Sequence, residues 1–196
     1  MIAFKYTKTD CAEYLSHLDL LRHVYRTLRR ADVPVAMSEG YHAHARIFLN
    51  NPLPVGVRSV AEYGAIDTPF IPDFAERFNS FSPEGVKCLA FQAEDKNPSY
   101  ASSIEKCAYT ATGLAPFDTR EILDERKIEI VDMRGRAVDI RPRIYAVEWQ
   151  DGRLSFTLGC GNENLRPDLF CAYLSERFGG RAEDILKTAS YGKGVF

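Results

Sequence analysis

Hydrophobic and polar positions along the first 95 residues predict short strands and helices in a definite order. Apolar residues at every second position predict strands, and apolar residues three and four positions apart predict helices. The predicted strands cover residues 2–7, 35–37, 46–49, 62–67 and 86–91, and the predicted helices cover residues 16–31 and 72–81. In outline this is the strand and helix order of the ferredoxin-like split β-α-β arrangement.

The first helix carries the strongest periodic signal in the chain. Its apolar residues recur at spacings of three and four and form one stripe, which we expect to pack against a sheet. Ser16, followed by Asp19 three residues later, is a capping-box pattern that marks the start of the helix. The residues of the apolar stripe are Leu15, Leu18, Leu21, Tyr25 and Leu28.

The second half of the chain repeats this order and adds a hairpin. Strands are predicted at residues 108–112, 128–133, 137–140, 144–149, 154–158 and 185–189, with helices at residues 118–125 and from Pro167 onward. A turn is predicted at Arg134 and Gly135, and another at Asp151 and Gly152. The polar, turn-rich residues 95–99 mark a domain boundary.

The predicted fold class is therefore α+β, with two tandem ferredoxin-like (split β-α-β) halves and antiparallel sheets. The N-terminal domain covers residues 1–95, and the C-terminal domain, with its extra hairpin, covers residues 105–196.

The composition is that of a globular protein without an overall preference for nucleic acids. The 25 Lys and Arg residues against 27 Asp and Glu residues give a net charge of −2, so an RNA site has to be a local patch. No apolar run is long enough to span a membrane, and the charged N-terminal segment does not resemble a secretory signal. The five cysteines form no Cys-x-x-Cys motif. We therefore expect reduced thiols in the cytoplasm and no cofactor bound by this chain.

All four histidines fall between residues 17 and 44, which is the clearest functional signal in the composition. His17 and His23 lie on the first helix at a spacing of six, off a shared face, while His42 and His44 alternate in a loop. A metal site needs histidines at i and i+4 on the helix or a clear carboxylate ligand, and Asp19 already caps the helix. We therefore predict no metal site, and the histidines either orient the loop or contact a substrate.

The same helix carries a basic stripe. Arg22, Arg26 and Arg30 are spaced by four, on the side opposite the leucines, and planar guanidinium groups match phosphate oxygens. No Asp or Glu lies among these arginines after Asp19. This favours phosphate binding over the alternative, a solvent-exposed helix face whose arginines pair with acidic residues. Tyr41 is placed to stack on an unpaired base, although such aromatics more often belong to a core. The predicted RNA- or phosphate-binding residues are Ser16, His17, Arg22, Arg26, Arg29, Arg30, Ser38, Tyr41, His42, His44 and Arg46.

Enzymatic activity has less support than binding. The chain lacks the nucleophile-elbow, Walker and dinucleotide-binding glycine motifs. The segment Gly159-Cys-Gly161 is typical of a tight turn and, less often, of an anion-binding nest. The alternative hypothesis is a metal-independent endoribonuclease in which His17 or His44 acts as the acid or base beside several arginines.

Several blocks of the sequence resemble one protein family. The first helix reads Tyr-Leu-Ser-His-Leu-Asp-Leu-Leu-Arg over residues 14–22. The further blocks are Arg26-x-x-Arg29-Arg30-Ala31, Val33-Pro34, Ser38-x-Gly40-Tyr41, His44, Pro52-Leu53-Pro54-x-Gly56, Glu62-Tyr63, Asp139-x-Arg141-Pro142 and Leu165-Arg166-Pro167. Together they resemble the radical-SAM-linked protein family, also known as domain of unknown function DUF2344. Ala43 and Ala45 flank His44 where family members usually have prolines.

The resemblance implies a partner and a setting for the protein. Members of the family occur beside, or fused to, radical-SAM iron–sulfur proteins, and their genes are often near ribosomal-protein and ribonuclease genes. We therefore expect a non-catalytic RNA-binding or accessory module, with a radical-SAM iron–sulfur protein and RNA as its partners. It would act in RNA or ribosome-related modification, away from membranes.

Overall fold

The structure of the protein, a computed structural model, describes residues 1–131 and 135–196. It is a mixed α/β fold built on one large, mostly antiparallel sheet. The strands are β1 (Ile2–Lys8), β2 (Ile47–Leu49), β3 (Arg58–Ile66), β4 (Cys88–Ala93), β5 (Ile104–Leu114), β6 (Glu129–Val131), β7 (Ala137–Asp139), β8 (Ile144–Gln150), β9 (Arg153–Gly159) and β10 (Gly180–Gly192). The helices are α1 (His17–Arg30), α2 (Phe74–Phe81), α3 (Tyr100–Ser103), α4 (Arg120–Leu123) and α5 (Pro167–Phe178).

Eight strands form a single sheet, whereas the sequence predicts two sheets, one in each half of the chain. Its order is β4-β1-β3-β10-β5-β9-β8, with β2 also paired to β3, while β6 and β7 form a separate hairpin. All neighbouring strands in the sheet are antiparallel except β3 and β10, whose short parallel pairing places Lys187 opposite Ser59. Arg58 and Asp184 form an ion pair between the same two strands.

The strand β3 changes its neighbour part-way along its length. One edge of β3 pairs with β1 throughout, from Ser59 to Ile66. On the other edge, β10 pairs with residues 58 and 59, whereas β2 pairs with residues 64–66. The sheet therefore has a junction near Glu62, between the end of β2 and β10.

Two hydrophobic clusters support the sheet, one for each half of the chain. In the first, α1 and α2 pack on β1, where the Phe4 ring lies 5.9 Å from Phe74 and 5.8 Å from Phe78. In the second, α5 packs on β5 and β10, and the Phe156 and Phe170 rings lie 5.3 Å apart. Burial of this apolar surface is the main favourable contribution to folding.

Helix α1 lies where the sequence predicts it, but the predicted apolar stripe is only partly its buried face. Leu20, Val24, Thr27 and Leu28 are buried, whereas Leu18 is 62% exposed. Leu20, Val24 and Leu28 share a face with a period of four, and Leu18 lies roughly a third of a turn away from it. The prediction that Leu18 packs against the sheet is therefore wrong.

Other element boundaries also differ from the prediction. The predicted strand at residues 35–37 is reduced to a single bridge between Met37 and Ala45. The hairpin of β8 and β9 is confirmed, with Asp151 and Gly152 both at positive φ in its turn. The pairing of β6 with β7 is also present. Residues 132–134, which are the end of the predicted strand 128–133 and the first residue of its turn, lie outside the described residues. In the described part of the chain, no helix is long and apolar enough to cross a bilayer.

Candidate functional site

A group of buried charged side chains lies at the sheet junction. The ammonium group of Lys187 donates to Glu62 Oε1 at 2.9 Å, and each of these side chains is only 2% exposed. Ser59 Oγ donates to the same carboxylate oxygen at 2.8 Å, and Asn50 Nδ2 donates to Oε2 at 3.0 Å. Lys8 of β1 is equally buried and lies near Glu62. We call Lys8, Glu62 and Lys187 the junction cluster.

In the junction cluster, Glu62 and Lys187 stabilise each other's charge, whereas burial lowers the pKa of Lys8. Burial by itself raises the pKa of Glu62, but the charge and hydrogen bond of Lys187, with those from Ser59 and Asn50, outweigh it and lower the pKa. Burial likewise opposes the charge of Lys187, and Glu62 outweighs it, so the pKa of Lys187 is raised. Glu62 and Lys187 are therefore both charged at neutral pH.

Two cysteines lie beside the junction cluster. Cys107 Sγ is 3.7 Å from Ser190 Oγ, and a hydrogen bond from the Cys160 thiol lowers the pKa of Cys107, as does the charge of Lys187. Cys88 and Cys171 are buried elsewhere, and burial raises the pKa of each to about 12. Within residues 1–131 and 135–196, no three His, Cys, Asp or Glu side chains are close enough to hold a metal ion.

A cleft of about 440 Å³ opens near the junction cluster, and we call it the central cleft. Ser16, His17, residues 52–55, Asn164 and Arg166 line it. The loop of residues 51–54 also covers a narrow gap. Tyr109, Cys160 and Lys187 also line this gap.

Local sequence features place each wall of the central cleft. Ser16 Oγ accepts a hydrogen bond from the Asp19 N–H group at 3.2 Å, which confirms Ser16 as the N-cap of α1. Pro52 and Pro54 stiffen the loop, and Gly56 adopts a φ of +87°, a conformation that suits glycine. Arg166 Nε donates to Asp168 at 3.0 Å, which orients the guanidinium group at the start of α5.

His17 is half-buried in the cleft wall. Burial lowers its pKa, and the charge of Lys8 acts in the same direction, while Glu62 opposes them. No hydrogen bond to the His17 side chain is found among the described residues. At neutral pH His17 is therefore a neutral imidazole with a donor and an acceptor nitrogen.

The predicted arginines lie along the exposed side of α1. We call Arg22, Arg26, Arg29 and Arg30 the arginine face. Arg22 forms an ion pair with Asp19 at 3.0 Å. The other three form no ion pair with any residue in the described part of the chain. Arg29 lies 6.0 Å from the Tyr25 ring and lines a groove of about 550 Å³ with residues 32–35.

The predicted loop residues are held together near the far end of α1. Ser38 Oγ accepts from the His44 N–H group at 3.0 Å and shares a 2.9 Å hydrogen bond with His44 Nδ1. Tyr41 is 98% exposed, and its ring lies edge-on to His42 at 5.0 Å. Arg46 forms an ion pair with Asp67 at 3.1 Å, just beyond β3. His44 thus orients this loop.

The predicted site residues therefore occupy two places. The chain leaves β1 at the Ser59 end of β3 and returns along α1, so α1 runs in the same direction as β3. A helix of 14 residues is about 21 Å long. Ser16 and His17 lie at its cleft end, whereas the 38–46 loop lies at the Asp67 end of β3. One phosphate therefore does not contact both His17 and His44.

Two further sequence blocks have structural roles. The Arg141 guanidinium group donates to the carbonyl oxygens of Leu123, Glu125 and Ile144, which fixes the chain after β7. The segment Gly159-Cys-Gly161 leads into the tight turn expected from the sequence, a single 3-10 turn over Gly161–Glu163 in which the Glu163 N–H group donates to the Cys160 carbonyl at 3.2 Å.

The junction cluster and Asn164 were missed by the sequence reasoning. Lys8 continues the alternation of Ile2, Phe4 and Tyr6, so its position on the buried face of β1 is readable from the pattern. No local signal identifies Lys187 or Asn164, because both depend on contacts between distant parts of the chain.

Comparison with solved structures identifies folds similar to that of this chain. A chain in the crystal structure of a Cbf5-Nop10-Gar1 complex aligns with a TM-score of 0.54 at 9% sequence identity, over 96% of this chain and 48% of that chain. A chain in the crystal structure of the archaeal box H/ACA sRNP Nop10-Cbf5 complex aligns with a TM-score of 0.48 at 12% identity, over 96% and 47%. This chain thus spans about half the length of the chains it matches. At such low identity the likeness concerns the fold alone.

Sequence comparison gives a family but no curated relative. The model of the family described as "Uncharacterized protein conserved in bacteria (DUF2344)" matches residues 2–167. No curated protein sequence matches the chain.

Proposed function

The chain belongs to the DUF2344 family, and we propose that it is a non-catalytic RNA-binding module that acts with a radical-SAM iron–sulfur protein. The proposed setting is RNA or ribosome-related modification in the cytoplasm. The observation that carries the RNA part of the proposal is the arginine face, an exposed basic strip on a protein whose net charge is −2.

The arginine face has the properties expected of a surface that holds a phosphate backbone. Arg26, Arg29 and Arg30 are exposed and lack an acidic partner in the described part of the chain, so their charge is available to an anion. Guanidinium groups bind phosphate oxygens through two parallel hydrogen bonds. From Arg22 to Arg30 the arginine face is about 12 Å long, enough to contact more than one phosphate of a single strand.

The loop near the far end of α1 supplies a surface for bases. Tyr41 is almost fully exposed, and an exposed ring of this kind stacks on an unpaired base at a gain of about 1–3 kcal/mol. The Ser38–His44 hydrogen bonds hold the loop in shape, which lowers the entropy lost on binding. Single-stranded RNA is therefore the favoured ligand over a duplex. The likeness to a chain of a Cbf5-Nop10-Gar1 complex is compatible with this proposal through the fold only.

We also propose that the sheet consists of two ferredoxin-like domains, over residues 1–95 and 105–196. The first four strands have the order β4-β1-β3-β2, and the strands of the second half have the order β10-β5-β9-β8. Numbered within each half, both orders read 4-1-3-2, as in a split β-α-β unit. In the second half the α4 and β6–β7 segment takes the place of the first crossover helix.

Co-purification tests the proposal in the cell. We expect the tagged chain to enrich RNA and a protein that contains iron and acid-labile sulfide. The double variant Arg26→Gln/Arg30→Gln should lose the RNA, while the matched control Arg77→Gln/Arg120→Gln, which alters exposed arginines on α2 and α4, should retain it. Enrichment of neither RNA nor an iron–sulfur protein would overturn the proposal.

A further inference from the structure

The central cleft combines a polar wall with an apolar wall. His17, Asn164 and Arg166 provide hydrogen-bonding groups on one side. Leu53, Pro54 and Val55 provide the apolar side, and Val55 is 61% exposed. A cavity of about 440 Å³ is in the usual range for a small organic ligand, roughly 300–1,000 Å³.

The polar wall suits the phosphate group of a nucleotide. The cleft lies at the first turn of α1, where the N–H groups of His17 and Leu18 donate to no carbonyl group within the helix and the helix dipole favours an anion. The His17 imidazole and the Arg166 guanidinium group reach the same cleft from two different elements.

The apolar wall suits a base. A hydrogen bond from the Gly56 N–H group to the Glu13 carbonyl at 3.0 Å joins the loop after Val55 to the segment that precedes α1. Both segments carry exposed apolar side chains. Tyr14 follows Glu13 and is 66% exposed, and Leu18 follows His17. The Asn164 side chain carries both a donor and an acceptor, which can pair with the edge of a base.

We propose that the central cleft binds one unpaired nucleotide of an RNA strand, with its phosphate on the polar wall and its base against Leu53, Pro54 and Val55. This inference rests on the proposed RNA-binding function and deepens it. An RNA strand that lies along the arginine face reaches the cleft at the start of α1. Leu18 precedes Arg22 by four residues and therefore lies on the same side of the helix, between Arg22 and the cleft. Packing within the protein does not explain why Leu18 is exposed. In this proposal the Leu18 side chain contacts the base.

Adenosine 5′-monophosphate is the probe for this site, added to the full chain and followed by amide chemical shifts in NMR spectra. We expect shifts at His17, Leu18, Val55 and Asn164, and none at Arg26 to Arg30. The variant Val55→Trp fills the cleft and should raise the Kd for the nucleotide at least tenfold. The control Leu89→Trp changes an exposed apolar residue on the distant edge strand β4 and should leave the Kd unchanged.

The two proposals can fail separately. If the nucleotide shifts amides of the arginine face alone, or if Val55→Trp leaves its Kd unchanged in a folded protein, the cleft proposal is wrong. Inorganic phosphate that binds the cleft as tightly as the nucleotide would also overturn it, because the apolar wall would then contribute nothing. Loss of single-stranded RNA binding by Arg26→Gln/Arg30→Gln, beside an unchanged nucleotide Kd, supports both proposals. Nucleotide binding in the cleft without any binding of longer RNA would overturn the RNA-binding function instead.

Discussion

At the scale of single residues, the Glu62–Lys187 ion pair is the clearest case of buried charge in the protein, because each side chain is only 2% exposed. Its carboxylate receives hydrogen bonds from Lys187, Ser59 and Asn50, so the cost of removing both charges from water is offset by good partners. Removal of one partner leaves the other buried and unpaired. The pair should therefore be sensitive to single substitutions and tolerant of a matched double substitution.

We expect Lys187→Met to lower the free energy of unfolding by about 3–5 kcal/mol, the usual cost of leaving a buried charge without its partner. Urea unfolding followed by circular dichroism measures this change. Lys193→Met, at an exposed lysine near the C-terminus, is the control and should change stability by less than about 0.5 kcal/mol. The double variant Glu62→Leu/Lys187→Met should be more stable than Lys187→Met. A Lys187→Met variant as stable as the control would contradict this assignment.

The same pair predicts how stability depends on pH. Because the pKa of Glu62 in the folded protein is below its ordinary value of 4.5, the unfolded chain binds a proton first as the pH falls. The contribution of Glu62 is therefore complete above the unfolded pKa and is lost as the pH falls through the folded pKa. Unfolding free energies of the wild type and Glu62→Gln should differ most near neutral pH and converge in acid. A constant difference across that range would show that the charge of Glu62 contributes nothing.

At the scale of secondary-structure elements, α1 shows what a local pattern can and cannot predict. Its bounds, its N-cap at Ser16 and its exposed arginines follow from spacing along the sequence. Which of its leucines are buried does not, because Leu18 and Leu20 are equally apolar and only the position of the sheet distinguishes them. In the same way β3 begins at Arg58, four residues before the predicted start, because its first residues pair with β10 from the far end of the chain.

Paired alanine substitutions test this orientation of α1. Leu28 is fully buried, and Leu28→Ala should cost about 2–5 kcal/mol of stability through lost burial and the cavity left behind. Leu18→Ala should cost no more than about 0.5 kcal/mol, because the side chain is mostly in solvent. Thermal or urea unfolding of the two variants gives the comparison. Equal losses of stability would mean that the helix is rotated from its position in this structure.

At the scale of the whole molecule, the central cleft and the arginine face are two ends of one surface along α1. The cleft brings sequence blocks near residues 16 and 53 together with a block near residue 166, which lies more than a hundred positions further along the chain. The sequence shows these blocks as motifs, but their meeting point depends on the parallel pairing of β3 with β10. The arginine face, in contrast, is local to one helix and could be predicted from its spacing alone.

The most direct test of the account is the salt dependence of RNA binding, measured by fluorescence anisotropy with a labelled single-stranded RNA. For single strands, the slope of log Kobs against log salt is about −0.7 for each phosphate contact. We predict that the wild type binds and that Arg26→Gln/Arg30→Gln weakens binding and makes the slope shallower by about 1.4, the loss of two contacts. The control Arg77→Gln/Arg120→Gln should bind like the wild type. A wild type that binds no RNA, or a double variant with an unchanged slope, would contradict the central claim.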